Sequence, residues 1–198
     1  MVILSTVPPR SGRPRNAEVD AAVLRATADL VGRHGYAGTT LDQVAAAAGV
    51  AKTTVYRRWT SKSALAVAAL VDVLGVPPGR EAAQSEDLRE DLREGLREAI
   101  AWLAGRVGEP GVQQLLLGLL AEAGRDADVR AELRRLIRDP FQDRVVARWA
   151  VEPAAVDLAF DVVVGTVLHR LTTTGAVSPA VLATVADLAE SLLLRPAS

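Results

Sequence analysis

Between Thr39 and Lys62 the chain reads TTLDQVAAAAGVAKTTVYRRWTSK, and no other stretch restricts the possible folds so tightly. Ala45 and Ala48 are small where two helices must cross closely, and Gly49 provides the sharp turn between them. Val50, Val55 and Trp59 are spaced to lie on one side of the second helix. Thr53, Thr54, Tyr56, Arg57 and Arg58 are left to project, so this second element is short and rich in hydroxyls and cations. The layout is that of two short helices held at a fixed angle.

Helical geometry sharpens this. At about 100° per residue, with Val55 at zero, Trp59 and Ala51 fall roughly 40° to either side and form the buried arc. Thr53 and Arg57 then lie near roughly 160° and 200°, and Thr54 and Tyr56 flank them near about 90–100° on either side. A helix of this kind laid in a DNA major groove points Thr53 and Arg57 at base edges and Thr54 and Tyr56 at the phosphate walls. Arginine can address guanine through two parallel hydrogen bonds, and threonine can meet several bases.

The neighbouring signals agree. Thr40 and Gln43 make a capping box, which predicts that the first helix of the pair starts at Thr40. A helix N-terminus is also a phosphate-docking point. Leu41, Val44, Ala45 and Ala48 follow the apolar helical spacing. Upstream, about Ala17 to His34 reads as a longer helix with Val23, Leu24, Leu30 and Val31 inward and Gly35 just past its end. Downstream, Ser61 caps a helix from Lys62 to about Leu74, whose apolar face is Leu65, Ala68, Ala69 and Val73.

Charge points the same way by a separate route. The whole chain has net charge −1, which hides an asymmetry. Residues 1–62 hold nine basic against four acidic side chains, and residues 63–198 hold fourteen against twenty. A basic lobe on an acidic body is the footprint of a DNA binder. Residues 1–15 read as a disordered basic arm, and its Gly-Arg-Pro-Arg run places Arg13 and Arg15 as candidate minor-groove contacts. The chain has no cysteine, no run long enough to span a membrane and no signal-peptide pattern, so a reducing cytoplasm is the expected setting and no membrane is expected as a partner. Two histidines, at 34 and 169, no phosphate-cradling glycine loop and no metal-spaced cluster argue against an enzyme, a metal or a cofactor.

The rest of the chain, residues 76–198, is helical by pattern, so the fold class is all-α. Pro77-Pro78-Gly79 reads as a linker, and Asp87 to Glu98 as a solvated helix face of mixed charge. Gly105 to Gly111 separates it from an apolar helix around Val112 to Ala123, Asp126 opens another, and Pro140 kinks or splits it before about Ala150. Pro153 and Ser178-Pro179 start the last two helices. Val156, Phe160, Val163, Val167 and Leu171 form one regular stripe, and Val181, Val185, Leu188 and Leu192 another. With Leu158, Val162, Val164, Leu168, Leu182, Leu193 and Leu194 off those stripes, this hairpin is more apolar than it can bury alone. A second copy packed on the stripes makes a four-helix bundle and a twofold homodimer, and two recognition helices then read an inverted repeat in double-stranded DNA.

From about Asn16 to Leu74 the chain resembles the DNA-binding domain of the TetR family of bacterial transcriptional regulators. The matching residues are Val23-Leu24, Leu30, Gly35-Tyr36, Thr39-Thr40, Val44-Ala45, Ala48-Gly49-Val50, Thr54-Val55-Tyr56, Trp59 and Ser61-Lys62. The resemblance implies a helix-turn-helix domain over 16–75 followed by an all-α effector-binding and dimerisation domain over 76–198. It implies DNA contacts, mostly to phosphate, from Thr40, Lys52, Thr53, Thr54, Tyr56, Arg58 and Lys62. It also implies dimerisation through the last two helices and a repressor released by a small molecule. Ala51 stands where the family usually has a capping serine, Thr53 where glycine is common, and Arg58-Trp59 where His-Phe is usual. These departures bear on base preference more than on fold. The large or polar residues inside apolar helices, Trp102, Gln113, Gln114, Trp149 and His169, are candidates to line the effector pocket, and the aliphatic composition suggests an apolar effector. An activator, or an architectural DNA-binding protein using the same head, remains the alternative reading.

Overall fold

The computed structural model describes residues 17–75, 77 and 87–194, and among these the chain is built of helices. Their order is α1 Ala17–His34, α2 Leu41–Ala47, α3 Lys52–Arg58, α4 Lys62–Leu74, α5 Leu88–Val107, α6 Pro110–Ala123 and α7 Ala127–Leu133. A π-helical turn, Arg134–Arg138, then leads into α8 Asp139–Trp149, α9 Pro153–Thr174 and α10 Pro179–Leu193. The expected arm with Arg13 and Arg15, and most of the expected linker, lie outside the described residues.

Local chemistry sets the ends of these helices. Ser61, Asp87, Asp126 and Ser178 each accept a backbone N–H of the following turn. Pro110, Pro140, Pro153 and Pro179 all sit in the first turn of their helices, where a missing N–H costs nothing. Pro140 follows directly on the π turn, where Asp139 N–H reaches back to Arg134 C=O. A wider turn next to a proline re-satisfies backbone groups that a regular helix would strand, and it divides the region as the sequence predicts.

Among the described residues three apolar cores result. The smallest joins Val23 of α1, Val44 and Ala45 of α2, Val55 of α3 and Leu65 of α4, and it holds these four helices together as an N-terminal head. The second is shared by head and body: Val31, Ala66, Val67 and Leu70 pack with Val112, Leu115, Leu116, Leu119 and Val129. The third lies at the far end, where Leu92, Ile100, Val145, Val156, Val163, Val185 and Leu193 bring α5, α8, α9 and α10 together. Helix α4 therefore buries more than its expected face: Ala66, Val67 and Leu70 are buried in addition to Leu65 and Ala69.

The expected solvated face over Asp87 to Glu98 is exposed at Arg89, Glu94, Arg97 and Glu98 and carries an i,i+3 pair, Arg93 with Glu90, but it is corrected at Asp91. Asp91 and Leu92 are buried, and Arg93 reaches across to Glu190 of α10 with two hydrogen bonds of 2.8 Å. The reason is that α5 runs between α8 and α10, so even its polar residues meet neighbours. The Asp91 carboxylate accepts from Arg148 Nη2 at 3.0 Å and from the Trp149 indole N–H at 3.2 Å. Asp91→Ala leaves both donors without their acceptor and is expected to cost about 2–3 kcal/mol of stability, measured by urea denaturation. Asp91→Asn, which keeps one acceptor oxygen, is expected to lose less.

Candidate nucleic-acid interface

The head presents α3 on its outside. Thr40 caps α2 as the sequence predicts: its hydroxyl accepts Gln43 N–H at 3.2 Å, and Gln43 Oε1 accepts Thr40 N–H at 2.8 Å. Gly49, at φ 67°, turns the chain in a left-handed conformation that a side chain would strain. Ala51 then begins α3 without a side-chain cap, so the usual contribution of about 1 kcal/mol is missing.

The helix is anchored from below. Val55 is fully buried in the head core, and Val50 and Trp59 pack half-buried against it. Trp59 does so from the extended residue that ends the helix, and its N–H bonds Val55 C=O at 3.0 Å. With that underside fixed, Thr53, Tyr56 and Arg57 are exposed, and Thr54 is half-buried at the edge. Tyr56 keeps 55% of its surface in solvent.

The cations around α3 do not all stand alike. Lys52 is exposed and ion-paired with Asp42 of α2, which raises its pKa above the ordinary lysine value. Lys62, at the start of α4, stands half-buried over the Tyr36 ring at 4.2 Å. Burial pushes its ammonium below the ordinary value, and Glu122 and Asp126 of the body offset part of that. Burial and the same acids push the Tyr36 phenol upward.

Arg58 departs from the expected set of DNA contacts. Its guanidinium is turned inward onto Asp20 of α1, its side chain is only 15% exposed, and its Nε is buried without a hydrogen-bond partner. It is a strut between α3 and α1. At its position, 38 residues from Asp20, no local spacing rule announces the pair. Asp20→Ala strands a mostly buried cation and is expected to cost about 1–2 kcal/mol in a urea titration.

The candidate effector residues are spread over α5, α6, α8 and α9. Trp149 is occupied with Asp91 and lies against Gly95 of α5. Gln114 is exposed on α6 beside Gly32 of α1, His169 is exposed on α9, and Trp102 and Gln113 are half-buried on α5 and α6. None of the five lines the groove of about 440 Å³ between α5 and α10, whose walls are Glu90, Arg93, Arg97, Asp187, Glu190, Ser191 and Leu194. That groove is charged and open. Trp149 shows how a polar group inside an apolar helix can serve packing: its indole N–H is spent on Asp91.

The expected dimer stripes are corrected too. Val156, Val163, Val167 and Val185 are buried in the chain's own core, and Phe160 packs on Phe141 with ring centroids 5.3 Å apart. Val181 and Leu192 are half-buried at the edge of that core. Of the stripe residues only Leu188 is a large exposed hydrophobe, at 47%, and Leu158 on α9 joins it at 50%. Leu158, Val162, Gly165 and His169 lie roughly half a turn around α9 from Val156.

Comparison with known proteins agrees with this architecture. A family model described as "Bacterial regulatory proteins, tetR family" matches residues 23–69, and one described as "Tetracyclin repressor-like, C-terminal domain" matches residues 82–189. An uncharacterized HTH-type transcriptional regulator of Mycobacterium tuberculosis is 44% identical over 73 residues, 35% of this chain. That match spans only about a third, 34%, of the relative's own length. The DNA-binding transcriptional repressor TetR of Mycobacteroides abscessus is 30% identical over 184 residues, 89% of this chain and 94% of that one. Among solved structures, NalD, the secondary repressor of the MexAB-OprM multidrug efflux pump in Pseudomonas aeruginosa, superposes with a TM-score of 0.62. It is 19% identical, covering 92% of this chain and 99% of that one, which shows a shared fold. No helix among the described residues is long and apolar enough to cross a membrane. With both parts matched and a full-length relative beside them, the chain belongs to the TetR family, whose members are DNA-binding transcriptional regulators and not enzymes.

Proposed function

We propose that this chain is a repressor that binds an inverted-repeat operator as a homodimer and leaves it when a small molecule binds the body. The observation that carries the reading is α3: Thr53 and Arg57 stand exposed on the side opposite buried Val55. In this reading residues 16–75 are the head and 76–198 the effector and dimerisation domain. Thr53 and Arg57 meet base edges, while Thr40, Lys52, Thr54, Tyr56 and Lys62 meet phosphate. The sense of regulation draws support from the repressor of Mycobacteroides abscessus, similar over most of both chains.

The dimer forms on the outward faces of α9 and α10, with Leu158 and Leu188 at its centre. Exposed leucines of this size in a long hairpin are what a second copy would cover. Gly165, on the same face of α9, has open space where a side chain would be and leaves room for a neighbouring helix. A released state requires an effector that prefers one spacing of the two heads over the other, since equal affinity for both shifts nothing.

Selection of bound DNA from a random duplex pool tests this reading. The expected product is an inverted repeat whose half-sites lie whole helical turns apart, preferred about 10³-fold or more over unrelated DNA at fixed salt. Enrichment without a motif, with steep salt dependence, would instead mark an architectural protein.

A further inference from the structure

The carboxyl end of α4 is held by a residue from the body. At a helix end the last carbonyls lack helical partners and carry partial negative charge. Gly75 N–H satisfies Val71 C=O. Two carbonyls closer to the end, those of Val73 and Leu74, are taken by one guanidinium, that of Arg106 near the end of α5. Its Nε donates to Leu74 C=O at 2.9 Å and its Nη2 to Val73 C=O. Its Nη1 donates to the Glu109 carboxylate, and Glu109 is the residue that opens α6. Charges therefore alternate along a short line: the negative end of α4, the guanidinium, the carboxylate, and the positive start of α6. Each neighbour in that line attracts the next.

This places one side chain where three helix ends meet. Helix α4 contributes Leu65 to the head core, and Ala66, Val67 and Leu70 to the core shared with α6 and α7. It is thus a lever common to both parts, gripped at its far end by Arg106. We propose that Arg106 is a positioning residue that couples head to body: it fixes the end of α4 to the α5–α6 corner, and so sets the angle at which the head is presented to DNA. The proposal rests on the operator-binding reading for its consequence, but its structural half stands without DNA.

Two measurements on the full chain separate these. In the absence of DNA, backbone amide exchange over residues 71–75 and 106–109 is compared between wild type and Arg106→Gln. Loss of the two carbonyl contacts is expected to speed exchange there about tenfold, with exchange in α2 and α3 unchanged. Arg106→Lys, which keeps the charge but not the fork, is expected to fall between. Glu109→Gln, which leaves both carbonyl contacts in place, is expected to change it by less than about threefold. Equal exchange at the corner in wild type and Arg106→Gln, or in wild type and Arg106→Lys should the glutamine variant fail to fold, would overturn the proposal.

The second measurement uses the operator recovered by selection and derivatives with one base pair inserted or removed at its centre. Wild type, with heads held at one angle, is expected to lose about 10²-fold in affinity on the altered spacing, and Arg106→Gln about tenfold or less. The same loss in both would show that Arg106 only stabilises the corner, which also overturns the proposal. If wild type selects no inverted repeat, the functional reading fails, and the exchange experiment still decides whether Arg106 holds the corner.

Discussion

Leu188→Asp is expected to leave the chain folded and convert it to a monomer, with operator affinity reduced about 10²- to 10³-fold. Leu188 is 47% exposed in the single chain, so a carboxylate there costs the monomer little. In a twofold dimer the same position occurs on both copies, and the substitution brings two buried like charges into one apolar interface. Leu158→Asp is expected to act in the same direction. Each head still folds and still meets a half-site, but the second half-site no longer comes with the first. Sedimentation of the variant checks the assembly, and titration with operator DNA checks the affinity. Val185→Asp is the contrast. Val185 is 5% exposed inside the core of α5, α8, α9 and α10, so aspartate there is expected to cost about 4 kcal/mol or more and to unfold the body. A folded Leu188→Asp dimer would place the interface elsewhere on the molecule.

Much of the local structure could be read from residue chemistry because helix ends are local events. Thr40, Ser61 and Ser178 cap the next turn with their own hydroxyls, and Gly35 and Gly49 adopt positive φ at the turns that require it. The exposed face of α3 could be read for the same reason, because angular spacing around one helix fixes what lies opposite Val55; Ala51, expected in the buried arc, is instead exposed because it is the extended residue before the helix. What escaped the sequence depends on packing between distant elements. Helix α9 is apolar on two sides, and spacing finds the more regular side, Val156 to Val167, which is the one the chain buries on itself. The face that stays exposed, with Leu158 and Gly165, is less regular. The inward turn of Arg58 depends on an aspartate 38 residues away, and the burial of Asp91 on two donors from α8. A charge pattern along α5 carries no information about either neighbour. Arg106 escaped for the same reason, because its acceptors belong to a helix 32 residues upstream.

Arg57 carries the second large effect. Its side chain leaves α3 on the exposed side, where no acidic side chain among the described residues pairs with it, unlike Lys52 on Asp42 and Arg58 on Asp20. A guanidinium presented in this way can donate two parallel hydrogen bonds to the O6 and N7 of guanine. One such contact is worth about 1–3 kcal/mol of discrimination, and a twofold dimer makes it twice. Arg57→Ala is therefore expected to lower operator affinity about 10²- to 10⁴-fold while leaving affinity for unrelated DNA reduced only by the loss of one charge per head. Tyr56→Phe, which removes a phosphate donor, is expected instead to weaken all sequences alike.

The measurement that bears most directly on the orientation of α3 is a titration of wild type and Arg57→Ala against every single-base-pair variant of the selected operator at one salt concentration. The expected result is that Arg57→Ala becomes indifferent to one base pair in each half-site, symmetrically placed, and still discriminates at the others. A loss of affinity spread evenly over all variants, with discrimination intact at every position, would mean that Arg57 does not reach a base and that α3 does not lie in the groove as its exposed face indicates.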